Sequence, residues 1–93
     1  HLTITRQPDD LYKYPAGSSL YIKCEGSPCD AVSYQWFKRK VPLQGKTQPY
    51  LHLQKVTKED AGFYICRMAV NEQCLFTNWA KLEIMESSPE MGQ

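Results

Sequence analysis

Cys24, Trp36 and Cys66 constrain the fold of this chain more than any other residues. The order cysteine, tryptophan, cysteine is typical of two antiparallel sheets packed face to face, with both sulfurs in the core beside the indole. Cys66 ends the run Asp-Ala-Gly-Phe-Tyr-Ile-Cys, and Tyr64, two positions earlier, matches the tyrosine corner at the start of a core strand. These residues predict an all-β sandwich around a single core, which is what 93 residues can build.

Apolar and polar residues alternate in short runs between turn residues, as such a sandwich requires. The predicted strands are Leu2 to Arg6 with a second piece from Leu11 to Tyr14 after Pro8, a strand around Leu20 to Glu25, Ser33 to Lys38, Tyr50 to Leu53, Gly62 to Ala69, and Trp79 to Met85. The alternation directs these side chains inward: Leu20, Ile22, Cys24, Tyr34, Trp36, Leu51, Leu53, Tyr64, Cys66, Met68, Ala80, Leu82 and Ile84.

The connection from Lys38 to Tyr50 is too short for the two extra strands of a variable-type domain. We therefore predict an immunoglobulin-like β-sandwich of the C2 or intermediate set, with strand D short or missing. We expect residues 1–86 to form this domain. Residues 87–93 are rich in Ser, Pro, Glu and Gly, a composition that indicates a linker or disordered tail.

Four cysteines allow three full pairings, and the fold favours Cys24 with Cys66. That bridge depends on the compartment, because cytosolic thiols are normally kept reduced. We place Cys29 in the loop between strands B and C and Cys74 in the loop between strands F and G, at the same end of the sandwich. Two unpaired thiols and a second disulfide both remain open for this pair. No histidine or further thiol lies at the spacing of a metal site, and we expect no cofactor.

Several functions have little support in the sequence. The 11 basic and 10 acidic residues nearly balance and the basic ones are scattered, which argues against nucleic acid as a partner. No apolar run approaches the roughly 20 residues that cross a bilayer. His1 is terminal and His52 is predicted to point outward, so neither can serve Cys66 as a base, and no phosphate loop or serine elbow is present. We predict no catalysis and no small-molecule substrate for this chain.

A binding face has better support. The outward positions of strands C, F and G bring together an apolar group that is larger than a solvated sheet face requires: Phe37, Phe63, Ile65, Arg67 and Trp79. Two interpretations remain open at this stage. Either this face docks against a neighbouring domain or a second copy, or Phe63 and Trp79 fold over a sheet edge or a bulge turns Trp79 into the core.

Three stretches resemble the first immunoglobulin-like domain of the paracaspases of mucosa-associated lymphoid tissue lymphoma. They are Tyr-Gln-Trp-Phe-Lys ending at Lys38, Asp-Ala-Gly-Phe-Tyr-Ile-Cys-Arg ending at Arg67, and Asn-Trp-Ala-Lys-Leu ending at Leu82. The opening, Leu-Thr-Ile followed by Gln-Pro, is also similar, so the resemblance spans about residues 2–86. The loops that carry Cys29 and Cys74 depart from the mammalian pattern, which indicates a distant relative such as a fish protein, or a paralogue.

The resemblance implies a cytoplasmic multidomain scaffold protease that acts in NF-κB signalling, with its catalytic residues outside this chain. The domain would then contact neighbouring domains, signalling adaptor proteins or a second copy of itself. The absence of an N-glycosylation acceptor at Asn71 and Asn78 agrees weakly with a cytoplasmic location. An extracellular receptor or cell-adhesion domain is the alternative, since the same cysteine and tryptophan framework serves both.

Overall fold

The computed structural model describes residues 1–86, which contain ten β-strands and one short 3-10 helix. The strands are β1 (Thr3–Arg6), β2 (Leu11–Pro15), β3 (Leu20–Lys23), β4 (Glu25–Ser27), β5 (Ser33–Lys38), β6 (Val41–Pro42), β7 (Tyr50–Leu53), β8 (Gly62–Val70), β9 (Gln73–Phe76) and β10 (Ala80–Met85). The helical turn, Lys58–Asp60, connects β7 to β8.

The strands form two layers. One layer contains β2, β10, β8, β5 and β6 in that order, with β9 paired to β8 beyond the end of β10. The other contains the antiparallel pairs β1 with β4 and β3 with β7, and only Cys24 separates β3 from β4. The predicted immunoglobulin-like β-sandwich is confirmed, and in the described chain no strand lies between β6 and β7, as expected where strand D is missing.

The first predicted strand is divided between the two layers. β1 pairs with β4 in one layer, whereas β2 runs parallel to β10 in the other. Pro8 lies between them, where its missing N–H and fixed φ suit a chain that leaves one sheet for the next. This crossing removes β10 from the sheet edge, because β2 covers its outer side.

The core lies between the layers and is centred on Trp36. Its indole is fully buried and its Nε1 donates a hydrogen bond to the carbonyl oxygen of Gln48 at 2.8 Å. Nearly all the side chains predicted to face inward are buried, and Leu53 and Ile84 are partly buried against the same cluster. The alternation of period two therefore identifies most of the core, and Leu2 and Val56, which lie outside the strands, complete it.

The tyrosine corner is present. The Tyr64 hydroxyl donates to the carbonyl oxygen of Asp60 at 2.5 Å, which ties the start of β8 to the helical turn. Inside that turn the backbone N–H of Thr57 donates to Oδ2 of Asp60 at 2.9 Å. Asp60 thus holds both the turn and the tyrosine, so the Asp-Ala-Gly-Phe-Tyr motif fixes where β8 enters the core.

Two predicted boundaries differ from the structure. The predicted loop after Ala69 is a tight hairpin, in which β8 extends to Val70 and β9 returns from Gln73. Cys74 therefore lies in a strand rather than in a loop. The final strand begins at Ala80 and not at Trp79, because the chain bulges between β9 and β10.

The tail predicted for residues 87–93 lies outside the described residues. No helix among residues 1–86 is long and apolar enough to span a membrane.

Candidate protein-interaction face

The outer surface of β5, β8 and β9, together with the residue before β10, forms a continuous apolar area that we call the aromatic face. Its members are Phe37, Phe63, Ile65, Arg67, Phe76 and Trp79. The strand register explains the grouping. Phe37 lies opposite Ile65, and Arg67 lies opposite Phe76, so the central strand β8 joins side chains from both of its neighbours.

One half of the aromatic face is built around Phe37. Its ring centroid lies 6.3 Å from that of Phe76, and the Arg67 guanidinium lies 5.9 Å from the Phe37 centroid. Ile65 is only 9% exposed although it points away from the core, and it lines one hollow with Phe37, Phe76 and Trp79. The aromatic side chains therefore shelter Ile65 from water and leave their own outer surfaces exposed.

The other half contains Phe63 and Trp79. Their ring centroids lie 6.4 Å apart and the ring planes are perpendicular, the edge-to-face arrangement that aromatic pairs prefer. Both remain accessible, with exposed fractions of 39% for Phe63 and 48% for Trp79. Lys81 lies across Phe63, with its Nζ 5.7 Å from the ring centroid. Trp79 is thus a surface residue, and the interpretation in which a bulge turns it into the core is wrong.

Thr77 explains why Trp79 points outward. Its backbone N–H donates to the Cys66 carbonyl oxygen at 2.9 Å, and its Oγ1 accepts from the Cys66 backbone N–H at 3.0 Å. The hydroxyl in turn donates to the Asn78 carbonyl oxygen at 3.0 Å. The buried Thr77 hydroxyl therefore accepts a hydrogen bond from the Cys66 N–H that a backbone carbonyl oxygen of the neighbouring strand would normally accept. The chain bulges at this point, which is a usual way of redirecting a side chain.

Two adjoining hollows lie on the aromatic face. The larger, about 650 Å³, is lined by Arg39, Lys40, Val41, Phe63 and Trp79. The smaller, about 430 Å³, is lined by Phe37, Arg39, Lys40, Ile65, Phe76 and Trp79. The two share Arg39, Lys40 and Trp79, so they form one furrow with an apolar floor and a cationic margin.

Sequence reasoning missed four residues of this furrow. The predicted strands place Phe76 in a loop, whereas a strand over residues 73–76 places it beside Phe37. The signal in the sequence is Asn71, because asparagine tolerates the left-handed conformation of a tight turn, and its φ before β9 is 54°. Arg39, Lys40 and Val41 belong to the β5 to β6 turn, and alternation does not apply in turns.

The core cysteines lie together as buried free thiols. The pKa of the Cys24 thiol is raised mainly by a hydrogen bond with Cys66 and secondly by burial. The thiol therefore stays protonated and is unreactive as a nucleophile. Burial, with a smaller contribution from the Asp60 charge, raises the pKa of Tyr64 to about 12. The predicted structural residues Cys24, Trp36, Tyr64 and Cys66 are thus all placed in the core.

Cys29 and Cys74 are exposed free thiols in the structure, the first after β4 and the second in β9. Cys74 lies opposite Ala69. In the described part of the chain, no group of three or more His, Cys, Asp or Glu side chains could hold a metal ion. His52 stacks on Tyr21 with centroids 4.2 Å apart, on the opposite layer from Cys66.

The outer surface of β3 and β7 carries a second aromatic group, which we call the tyrosine face. It consists of Tyr21, Lys23, Tyr50 and His52. Tyr21 stacks on His52 and meets the edge of Tyr50 at 5.6 Å, while the Lys23 Nζ lies 5.6 Å from the Tyr21 centroid. These side chains pack against one another and end in polar atoms that water can solvate.

Comparisons with known proteins agree with the fold. A family model described as "Immunoglobulin domain" matches residues 2–83. The tandem immunoglobulin repeats of Dlar superpose with a TM-score of 0.82 at 15% identity, over 92% of this chain and 49% of that chain. At such low identity the likeness concerns the fold alone.

Two curated relatives are more similar in sequence. The mucosa-associated lymphoid tissue lymphoma translocation protein 1 of Homo sapiens is 31% identical over 71 residues, which cover 76% of this chain and 9% of that protein. The B-cell receptor CD22 of Mus musculus is 35% identical over 66 residues, which cover 64% of this chain and 8% of that protein. The chain thus spans less than a tenth of the length of either relative.

Proposed function

This chain belongs to the immunoglobulin-domain family, and from that premise we propose that it is a non-catalytic protein-interaction module of a cytoplasmic paracaspase-type scaffold protease acting in NF-κB signalling. The exposed aromatic face carries the interaction part of this proposal. Such domains generally mediate contacts between proteins, and this one has an apolar furrow with which to do so.

The packing of the aromatic face supports a docking role. Trp79 and Phe63 stand over the furrow with much of their surface in water, and Phe76 is 52% exposed beside them. Large aromatic side chains gathered at the centre of a surface are the residues that typically dominate binding energy. Water is expelled from this surface only when another protein covers it, so the exposed area favours association.

The similarity to the mucosa-associated lymphoid tissue lymphoma translocation protein 1 of Homo sapiens supports the assignment of the parent protein. The matched segment is a small part of that relative, so any protease chemistry would belong to other parts of the parent chain. Within that arrangement the domain supplies contacts with neighbouring domains, with adaptor proteins or with a second copy. A reducing compartment is compatible with the core cysteines Cys24 and Cys66, because a buried thiol pair can pack as small apolar side chains.

Charge insertion into the aromatic face tests the docking role. We introduce Phe37→Arg and Trp79→Arg separately into the parent protein and measure the amount of partner protein that co-purifies with it. We expect each variant to reduce that amount by about tenfold or more, because each replaces apolar contact with a buried charge. Tyr50→Arg on the tyrosine face is the matched control and is expected to leave that amount unchanged. Unchanged amounts for both face variants would refute the docking role.

The sequence of the parent transcript tests the assignment. A caspase-like segment downstream of residue 93 is the expected result, and a membrane-spanning segment in its place contradicts it. Reduction of the isolated chain gives a second test. A cytoplasmic domain should keep its stability without the Cys24–Cys66 bridge, whereas closing that loop of about 43 residues would contribute about 4 kcal/mol in a domain selected with it.

An extracellular receptor or cell-adhesion domain is the second candidate. The similarity to the B-cell receptor CD22 favours it, since the matched segment shares 35% identity with this chain. It requires the Cys24–Cys66 pair to be oxidised in the native protein. Alkylation of the native parent protein without reductant separates the two candidates, because a paracaspase-type domain exposes four alkylatable thiols after unfolding and a surface domain exposes fewer.

A further inference from the structure

We propose that the furrow of the aromatic face receives an acidic segment of a partner protein, in which Asp or Glu residues flank a large apolar side chain. The inference rests on the proposed docking function and names the chemistry of its partner. Two features of the furrow carry it: an apolar hollow at the β5 to β6 turn, and cations at its margin that form no ion pair among residues 1–86.

The hollow supplies the apolar half of the match. Val41, Phe63 and Trp79 form its walls, with exposed fractions of 63%, 39% and 48%. Its volume of about 650 Å³ is sufficient for a large side chain with part of its backbone. The smaller hollow continues past Trp79 toward Phe76, so a second apolar side chain can lie alongside the first.

The margin supplies the electrostatic half. Arg39 and Lys40 are exposed and line both hollows, and no Asp or Glu among residues 1–86 lines either one. Residues 1–86 contain two ion pairs, and both use Glu83, one with Lys13 and one with Lys81. Arg39 and Lys40 therefore keep their charge available beside an apolar surface, where field lines are focused and an incoming carboxylate is attracted.

The same charges argue against a second copy as the occupant. A two-fold interface uses the same patch on both subunits, so pairing through the furrow would bring Arg39 and Lys40 of one copy against a surface of the same sign. Like charges that face each other across an interface repel and weaken association. The chain as a whole has a net charge of only +1, so the positive field is a local property of this margin.

A displayed library of random twelve-residue peptides, selected against the 93-residue chain, tests the inference. We expect the recovered peptides to combine aromatic or aliphatic residues with neighbouring Asp or Glu. The double variant Arg39→Glu/Lys40→Glu should bind the most frequent peptide at least about tenfold more weakly, because both attractions become repulsions. Raising the salt concentration should weaken wild-type binding as well, since these charges are exposed.

Lys23→Glu/Lys55→Glu is the matched control. It changes the net charge by the same amount, and Lys55 has a φ of 49°, close to the 57° of Arg39, so the backbone demands are alike. This control is expected to bind the peptide as the wild type does. Equal weakening in both double variants would show a non-specific charge effect and would overturn the inference.

Other outcomes overturn it as well. They are recovery of no peptide, recovery of peptides without acidic residues, and a dimer of the chain alone that Trp79→Ser dissociates. The inference and the docking role fail in different ways. If Phe37→Arg and Trp79→Arg destroy the parent protein's complexes but Arg39→Glu/Lys40→Glu does not, the face docks a partner that is not acidic.

Discussion

The aromatic face and the tyrosine face are both rich in rings, but they differ in what the rings contact. On the tyrosine face, Tyr21 stacks on His52 and meets Tyr50, and Lys23 covers the stack. On the aromatic face, Phe63 and Trp79 meet at their edges and stand around an open hollow.

The difference shows that the number of exposed rings does not by itself mark a docking surface. Tyrosine and histidine end in polar atoms, so they can be exposed without leaving an apolar area unsolvated. Phenylalanine has no polar atom, and the hollow beside Phe63 leaves contact surface that no side chain of this domain fills. The combination of phenylalanine rings with an unfilled apolar hollow is what distinguishes the aromatic face.

The largest effect is expected from a substitution in the core, which lies beneath both faces. Trp36→Ala should destabilise the chain by about 3–5 kcal/mol, because a fully buried indole leaves a cavity between the layers. Urea denaturation measures the loss. Both faces should be lost together in a single transition, and separate transitions for the two layers would contradict the description of one shared core.

Thr77→Val tests the device that presents Trp79. The change keeps the shape but leaves the buried Cys66 N–H without its acceptor, so we expect a loss of about 1–3 kcal/mol. Thr77→Ser keeps the hydroxyl and is the control. The fluorescence of Trp79, recorded in the Trp36→Phe background, should change with valine and not with serine. An unchanged spectrum would show that Thr77 does not position the indole.

Tyr64→Phe sharpens the contrast between a buried and an exposed tyrosine. Loss of the hydrogen bond to Asp60 should cost about 0.5–1.5 kcal/mol at neutral pH. The pKa of Tyr64 is raised from 10.0 to about 12, so the folded chain holds a proton that the unfolded chain releases above pH 10. Wild-type stability should therefore fall as the pH rises from about 10 to about 12, and the variant should lose less over that interval.

Trp79→Ser and Tyr21→Ser form the smallest and most closely matched comparison. Their exposed fractions are 48% and 49%, and each ring packs on aromatic neighbours of its own face. We expect each variant to change the free energy of unfolding by less than about 1 kcal/mol. A much larger loss for Trp79→Ser would assign that residue a structural role instead of a docking role.

Most of the core could be predicted from the sequence, because inward and outward side chains alternate along each strand of the sandwich. Strands Ser33–Lys38 and Tyr50–Leu53 were predicted with the bounds they have in the structure, since each is flanked by turn residues and alternates cleanly. The outward direction in which the bulge at Thr77 turns Trp79 could not be predicted, because it depends on a hydrogen bond to Cys66 across the sheet.

The candidate site was predicted only in part, for a related reason. Phe37, Phe63, Ile65, Arg67 and Trp79 lie on one face as the alternation indicated, but alternation carries no information about hollows. The furrow forms because the β5 to β6 turn brings Arg39 and Lys40 up to Trp79, a contact between residues distant in sequence. The cationic margin of the aromatic face is therefore a property of the folded arrangement, and the pattern of residues along the strands does not indicate it.

The docking role of the aromatic face is tested most directly by the affinity of the parent protein for its protein partner. This affinity is measured for the Trp79→Ser and Tyr21→Ser variants. We expect a loss of about tenfold or more for Trp79→Ser, because an aromatic residue at the centre of an interface dominates its binding energy, and almost no change for Tyr21→Ser. Equal affinities for the two variants, or a loss confined to Tyr21→Ser, would contradict the assignment of the aromatic face as the docking surface.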